Sequence, residues 1–342
     1  MGGLSFFQKL IFFLNILFSI SLFIACIVPH TTSASLAFFS LVVPILVVVN
    51  FLFLFYWIFR MRRQFILSLV TLLFGYFSMG NFIGFSGSPK MVEKDDSFSI
   101  LSFNSLGFRG KQDEWKSTAG DTIVKFVAQE NPDILCFQEF DYKKSRPNFF
   151  KEYPYKYVDY EFGEDRGRMI QAIYSKYKII NKGFLKFPES HNSAVYADII
   201  FKMDTIRLYN LHLESLNIRP SSIKNEDSGK LFSRLRTSFA KQMEQSDIVH
   251  NHMENSPYPN IVCGDFNSTQ FSRVYLNIKA ELKDTFLEKG TGLGSTIQFW
   301  KFPFRIDYIL VAPGMEVLSH TNYTIELSDH EPIMASIKLG AD

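Results

Sequence analysis

Six short polar clusters interrupt the apolar pattern of this chain: Ser102-Phe103-Asn104, Gln138-Glu139, Leu211-His212-Leu213, Gly264-Asp265-Phe266-Asn267, Arg305-Ile306-Asp307-Tyr308 and Ser328-Asp329-His330. Each ends a strand-like run. Carboxylates, amides and imidazoles are costly to bury alone, and reacting residues gather at strand ends and the loops beyond them. Together the clusters supply Asn104, Glu139, His212, Asp265, Asn267, Asp307, Asp329 and His330. Carboxylate and amide oxygens suit a hard divalent cation such as Mg²⁺ or Mn²⁺, and imidazoles beside carboxylates suit proton transfer near neutral pH. Asp265 and Asn267 alternate on one segment, so a locally extended chain points both to the same side. Taken singly, His212 reads as a structural hydrogen-bonding residue and Asp329 as a solvated or capping carboxylate; the grouping is what points to a site.

The elements that must position these groups alternate between short β-rich runs and helical segments. Strands are expected at Phe98–Phe103, Ile134–Phe137, Ile170–Tyr174, Val195–Phe201, Ile206–Leu211, Ile261–Cys263, Ile306–Val311 and Ile333–Ile337, and helices at Gly120–Gln129 and Leu231–His252. That alternation predicts an α/β arrangement of sheets flanked by helices. Three cysteines, Cys26, Cys136 and Cys263, lie in apolar segments and read as small buried hydrophobes rather than a disulfide framework.

Charge is divided unevenly. Residues 1–90 contain no Asp or Glu, and their only cations are Lys9, Arg60, Arg62, Arg63 and Lys90. The rest of the chain holds 31 of the 36 Lys and Arg against all 34 Asp and Glu, a formal charge of −3. No basic excess advertises a grip on long nucleic acid. Three apolar stretches, Leu10–Val28, Leu36–Phe59 and Phe65–Phe85, approach the length that crosses a bilayer. Residues 1–90 are therefore expected to form an anchor with about three transmembrane helices partnered by lipid, and residues 91–97 a linker to a domain over 98–342. Lys9 and the arginine cluster would lie in the cytoplasm by the positive-inside rule, which sends a domain after an odd number of spans outward. A transporter is disfavoured, since the spans carry no ionisable residue.

In their order and spacing, the six clusters resemble the endonuclease/exonuclease/phosphatase superfamily, and the resemblance runs from about Phe98 to the carboxy terminus. It implies a four-layered α/β sandwich, two packed sheets flanked by helices. It also implies hydrolysis of phosphate esters with Mg²⁺ or Mn²⁺, nucleic-acid phosphodiesters foremost and phospholipid or small-molecule phosphoesters as the alternative. Carried over residue by residue, Glu139 is the principal metal ligand, with Asn104 nearby and Asp329 completing the metal environment. His330 is paired with Asp307; Asp265 positions or deprotonates water, and whether it or His330 is the base stays open. Asn267 contacts a phosphate oxygen, and His212 stabilises phosphoryl oxygens or assists the leaving group. The carboxylate that orients this histidine in the deoxyribonuclease branch has no counterpart in Arg166-Gly167-Arg168-Met169-Ile170-Gln171, where Gln171 or another group must serve. A non-catalytic receptor on the same fold would betray itself by a lost site residue, and none is lost. Arg166 and Arg168 could touch phosphate or solvent; Arg234, Arg236 and Lys241 suit an exposed helical face. Trp300, Phe302, Pro303 and Phe304 form either an apolar lip or ordinary packing.

Overall fold

The computed structural model describes residues 4–81, 83–85, 96–110, 119–141, 143, 149–160, 168–218, 226–299 and 302–340. Most of the expected linker, together with Arg166 and Trp300, lies outside these residues.

The apolar stretches fold as α1 (Phe6–Ile27), α2 (Phe39–Phe59) and α3 (Phe65–Met79). A reciprocal cap between Ser5 and Gln8 starts α1. The expectation of three spans needs correction: α1 and α2 are long and apolar enough to cross a membrane, but α3 has only 15 residues. At about 1.5 Å per residue it falls short of a hydrocarbon core roughly 30 Å thick. Its run ends at Gly80, whose φ of 70° breaks the helix. Gly84–Phe85 then pairs as a strand with Thr291–Gly292 of the following domain. A Cβ on Gly84 would meet the Gly290 carbonyl oxygen at 2.3 Å, so only glycine permits that approach.

A buried polar network joins the helices. Asn15 Nδ2 donates to Ser68 Oγ at 2.8 Å, Trp57 Nε1 to Asn15 Oδ1 at 3.1 Å, and Ser19 Oγ to Asn50 Oδ1 at 2.8 Å. Buried polar side chains find their partners in this way. With Ser78 Oγ donating to the Cys26 carbonyl, these bonds set α1 and α3 parallel and α2 antiparallel. Arg60, Arg62 and Arg63 therefore sit at the end of the bundle where α1 begins, and Gly80 at the other.

Among the described residues of the second unit, twelve strands form two six-stranded sheets. They are β1 (Ser97–Asn104), β2 (Ile134–Gln138), β3 (Tyr155–Val158), β4 (Ala172–Ser175), β5 (Ile179–Lys186), β6 (Ser193–Phe201), β7 (Asp204–His212), β8 (Asn260–Asp265), β9 (Lys283–Asp284), β10 (Asp307–Val311), β11 (Glu316–Asn322) and β12 (Ile333–Lys338). The first sheet has the order β11-β12-β1-β2-β4-β3 and the second β9-β10-β8-β7-β6-β5. Two pairs, β1 with β2 and β7 with β8, are parallel. Parallel neighbours need a crossover, supplied by α4 (Ala119–Glu130) and α5 (Ser228–Glu254) respectively. Ile123, Phe126 and Val127 form the buried stripe of α4, while Asp227 caps α5 through the Gly229 and Lys230 amides.

Alternate residues of the facing strands, among them Ile100, Cys136, Val195, Leu208, Cys263 and Ile309, make the core between the sheets. Separate cores lie outside each sheet: Leu101, Phe137 and Phe126 under α4, and Tyr209, Val262 and Val249 under α5. The result is the four-layered sandwich. All three cysteines are free and buried.

The loops leaving β7 and β8 at their carboxyl ends rest on the helical bundle. Thr269 Oγ1 donates to the Ser40 carbonyl and Gln270 Nε2 to that of Asn81, each at 3.0 Å. Phe271 packs with Leu22, Cys26, Val43 and Leu46, and Leu216 with Ala37.

Candidate active site

Strand register brings the polar clusters together. In the second sheet, His212, Asp265 and Asp307 stand side by side, because His212 is the parallel partner of Asp265 and Asp307 its antiparallel partner. Gly264 makes that alignment possible: its φ is 129°, and a Cβ would meet the Leu211 carbonyl oxygen at 2.1 Å. Across the sandwich, β1 ends at Asn104 opposite Gln138, and Glu139 follows with a φ of 48°. Asn267 adopts a φ of 49°. Positive φ at two non-glycine residues here is uncommon backbone held in place by its surroundings.

Asn104 bridges the sheets, donating from Nδ2 to Asp265 Oδ2 at 3.1 Å and to Glu139 Oε1 at 3.3 Å. His330 enters from the loop before β12, fixed by a bridge to Ile297. Its Nδ1 lies 2.9 Å from Asp307 Oδ2, and its Nε2 is 3.6 Å from Asp265 Oδ2. The Nε2 atom of His212 is 3.7 Å from Asp265 Oδ2 and 3.8 Å from Glu139 Oε1. The Asn267 backbone N–H donates to Asp265 Oδ1 at 2.8 Å, and its side-chain Nδ2 to the Leu213 carbonyl at 3.0 Å. Asp329 is exposed at the rim, accepting from Ser328 Oγ, and its charge is felt by both Glu139 and His330. Asn104, Glu139, His212, Asp265, Asp307 and His330 thus converge, with Asp329 at the rim. Asn267, expected to share an extended segment with Asp265 and to face phosphate, instead joins through its backbone N–H while its side-chain amide turns to Leu213.

Proton affinities follow from burial and crowding. Burial lifts the Asp265 carboxyl to about 6, against the pull of His330. Burial likewise raises Glu139. His212 is pushed down by burial, which keeps its ring neutral. For His330 burial acts downward too, but the carboxylates of Asp307, Asp265 and Asp329 outweigh it and raise the imidazole well above its usual range.

The donor set suits a hard divalent cation: oxygen atoms dominate and no thiolate is near. Ligand atoms of Asp265, Asp307 and His330 converge within 4.8 Å. A 2.9 Å hydrogen bond already joins Asp307 and His330, so those two ligand atoms are committed to each other. Glu139 is a better ligand, since its side chain keeps 24% exposure while facing the buried charges.

Gln171 does not hold His212 in this arrangement. Its Nε2 donates to the Ser193 carbonyl and hydroxyl. Among the described residues neither Gln171 Oε1 nor His212 Nδ1 has a hydrogen-bond partner. Arg168 is engaged by Asp159 at 2.7 Å and stacks over Phe184. Two members of the polar clusters, given no role from sequence, act as supports. Gln138 donates to Asn210 Oδ1 at 2.6 Å and locks the sheets beneath the site. Arg305, buried, donates to Asp284 Oδ2 at 2.6 Å and also to Gln270 Oε1, tying the strand of Asp307 to the loop of Asp265. Their signal was a polar side chain inside an apolar strand or beside a motif residue.

Solved structures share this sandwich. The humanized D. rerio TDP2 is 17% identical, with a TM-score of 0.55 over 71% of this chain and 99% of that one. An endonuclease/exonuclease/phosphatase from Bacteroides vulgatus is 18% identical, with a TM-score of 0.54 over 71% and 99%. The human Nocturnin catalytic domain, with bound sulfate, is 17% identical, with a TM-score of 0.53 over 72% and 96%. No curated protein matches the chain. Residues 8–82, the helical bundle, match a Domain of unknown function (DUF8431). Residues 101–330 match the Endonuclease/Exonuclease/phosphatase family, and the chain belongs to it. Members of this family hydrolyse phosphate esters.

Proposed function

We propose that this protein is a divalent-metal-dependent phosphodiesterase, held at a membrane by its amino-terminal helices with the catalytic domain on the extracytoplasmic side. The observation that carries the chemistry is the Asp307–His330–Asp265 chain, at 2.9 and 3.6 Å, facing Glu139 across the cleft. Glu139 would hold the cation, with Asn104 and Asp329 beside it, and a bound Mg²⁺ or Mn²⁺ supplies positive charge against the phosphate oxygens.

The remaining work falls to the chain's own groups. Asp265, lifted to about 6, takes a proton from the attacking water. The water oxygen bonds to phosphorus as the ester P–O bond breaks, and the leaving alcohol recovers a proton from solvent at the exposed rim. His330, kept charged by Asp307, and neutral His212 offer N–H groups to the phosphoryl oxygens as charge develops. Burial makes those interactions stronger than they would be in water.

Sidedness rests on the anchor. The domain touches the bundle at Ser40 and Asn81, the end opposite Arg60, Arg62 and Arg63. Positive loops stay cytoplasmic. Although too short to span a full bilayer alone, α3 carries the chain from the arginine end of the bundle to the opposite end, where the domain sits, which puts the domain outside. A nucleic-acid substrate is the second reading, favoured by the D. rerio TDP2 structure that holds a single-strand DNA product. The domain's formal charge of −3 weighs against tight polymer binding. A panel of plasmid, single-stranded DNA, RNA, sphingomyelin, phosphatidylinositol phosphates and a chromogenic phosphodiester, with Mg²⁺, tests the proposal. Turnover abolished by Glu139→Gln is expected; no turnover of any member would overturn it.

A further inference from the structure

The three helices line a partly open, apolar cavity of about 190 Å³ beside the loop that runs from Asp265 to Phe271, with exposed Phe51, Tyr76 and Phe85 at its mouth. Leu22, Val43, Val47, Leu72 and Gly75 form its walls, and Phe271 of the catalytic domain contributes its end nearest that domain. A dry, apolar cavity of about 150 Å³ is enough to take a hydrocarbon guest. Glycine at position 75 is not demanded by a clash. A Cβ there would come no closer than 3.9 Å to Cys26 Sγ and 4.0 Å to Leu22 Cδ2, ordinary contact distances. Inside a helix glycine is less favourable than alanine, and at Gly75 its effect is to keep the cavity open.

We infer that this cavity receives the hydrocarbon chain of an amphiphilic phosphoester whose phosphate is presented to the catalytic site above. The assignment rests on the phosphodiesterase reading and narrows its substrate to a lipid drawn from the bilayer. The occupant follows from the surroundings. The outer faces of the bundle, at Leu52, Val70 and Phe77, are exposed and apolar, so a lipid chain is the guest at hand. Lipid tails are as apolar as leucine, so entry is driven by packing rather than dehydration: an empty cavity leaves its lining atoms without partners, and a chain restores those contacts. One loop joins the cavity to the catalytic groups. Phe271 ends the loop that starts at Asp265, and Thr269 and Gln270 pin that loop to the bundle. Gln270 also accepts from Arg305, which precedes Ile306-Asp307. The loop leaving His212 lands on the bundle as well, through Leu216 and Ala37.

The test uses the full chain in nanodiscs of phosphatidylcholine. A phospholipid with a diazirine near its chain terminus is photolysed and the adducts are mapped by mass spectrometry. Adducts on the peptide carrying Phe271 are expected in the wild type and should disappear in Gly75→Leu. Val47→Phe fills the cavity from the opposite wall and should act alike should the first variant fold poorly. In parallel, hexadecyl p-nitrophenyl phosphate should be cleaved with a kcat/KM about tenfold above the methyl ester, given the regained packing. Both filling variants should erase that preference, so that the hexadecyl and methyl esters are cleaved with the same kcat/KM. Labelling confined to outward residues such as Leu52 and Val70, or a chain preference unchanged by both variants, overturns the inference. No Mg²⁺-dependent hydrolysis of the methyl ester would instead overturn the phosphodiesterase reading, and the substrate assignment with it.

Discussion

Replacing Asp307 by asparagine exchanges one oxygen for an amide nitrogen of similar size, so the fold is retained and the cost reads the imidazole pairing. The Asp307 carboxylate lies 2.9 Å from His330 Nδ1, and the two side chains are only 4% and 7% exposed. An amide can present its NH₂ to Nδ1 and leave the ring in the wrong tautomer. Losing a preorganised group that stabilises charge in the transition state costs roughly 2.7–4 kcal/mol. With His330 misoriented in this way, kcat/KM should fall about 10²–10³-fold. Losing the carboxylate must in addition lower the proton affinity of His330, since Asp307 is the foremost group raising it, so the alkaline limb of the pH profile should move to lower pH. The assay is hydrolysis of bis(p-nitrophenyl) phosphate at saturating Mg²⁺, with circular dichroism to confirm folding. His330→Ala should cost at least as much, and the double variant little more than the worse single one, as groups acting together lose their effect once. A loss below about threefold in Asp307→Asn, or fully additive costs, would refute the pairing as a working unit.

Other consequences are independent of that pair. The kcat/KM of the wild type should rise as pH passes upward through about 6, where Asp265 loses its proton; a profile flat across that range would remove it as the base. Asp284→Ala strands buried Arg305, whose partner lies at 2.6 Å. It should lower unfolding stability in urea by about 3–5 kcal/mol, and a change under ~1 kcal/mol would show that the pair is dispensable. Arg305, with help from Tyr275, outweighs burial to hold the Asp284 carboxyl below its usual range. That stability is therefore present at neutral pH and disappears as pH falls below about 4. Protease shaving of intact cells should cut the catalytic domain but not the Arg60–Arg63 loop; cleavage in the opposite pattern would reverse the topology.

Legibility in the sequence followed the physics of each element. Strands buried on both faces, such as Val195–Phe201 and Ile206–Leu211, stood out as apolar runs, and observed strands extend them to Ser193–Phe201 and Asp204–His212. Ile179–Lys186 was missed because it is an edge strand with mostly half-buried or exposed residues, polar enough to pass for a loop. Motif residues were legible because chemistry demands polar groups where packing would prefer apolar ones. Their supports were harder to see: Gln138 and Asn210 gain meaning only when two sheets meet, and Arg305 only when the loop carrying Gln270 folds across it. The third apolar stretch misled because apolar composition continues past Gly80, although the backbone turns there into a strand that pairs with Thr291–Gly292. Nothing local in the sequence marks that long-range pairing.

A phosphodiesterase centred on Glu139 and its cation can be tested in one measurement. Hydrolysis of bis(p-nitrophenyl) phosphate by the full chain is followed with Mg²⁺, with excess EDTA, and with Glu139→Gln in Mg²⁺. Turnover in the first condition alone, restored when Mg²⁺ is returned to the chelated wild type, is the predicted result. Undiminished turnover in EDTA, or a fully active Glu139→Gln variant, would contradict the account.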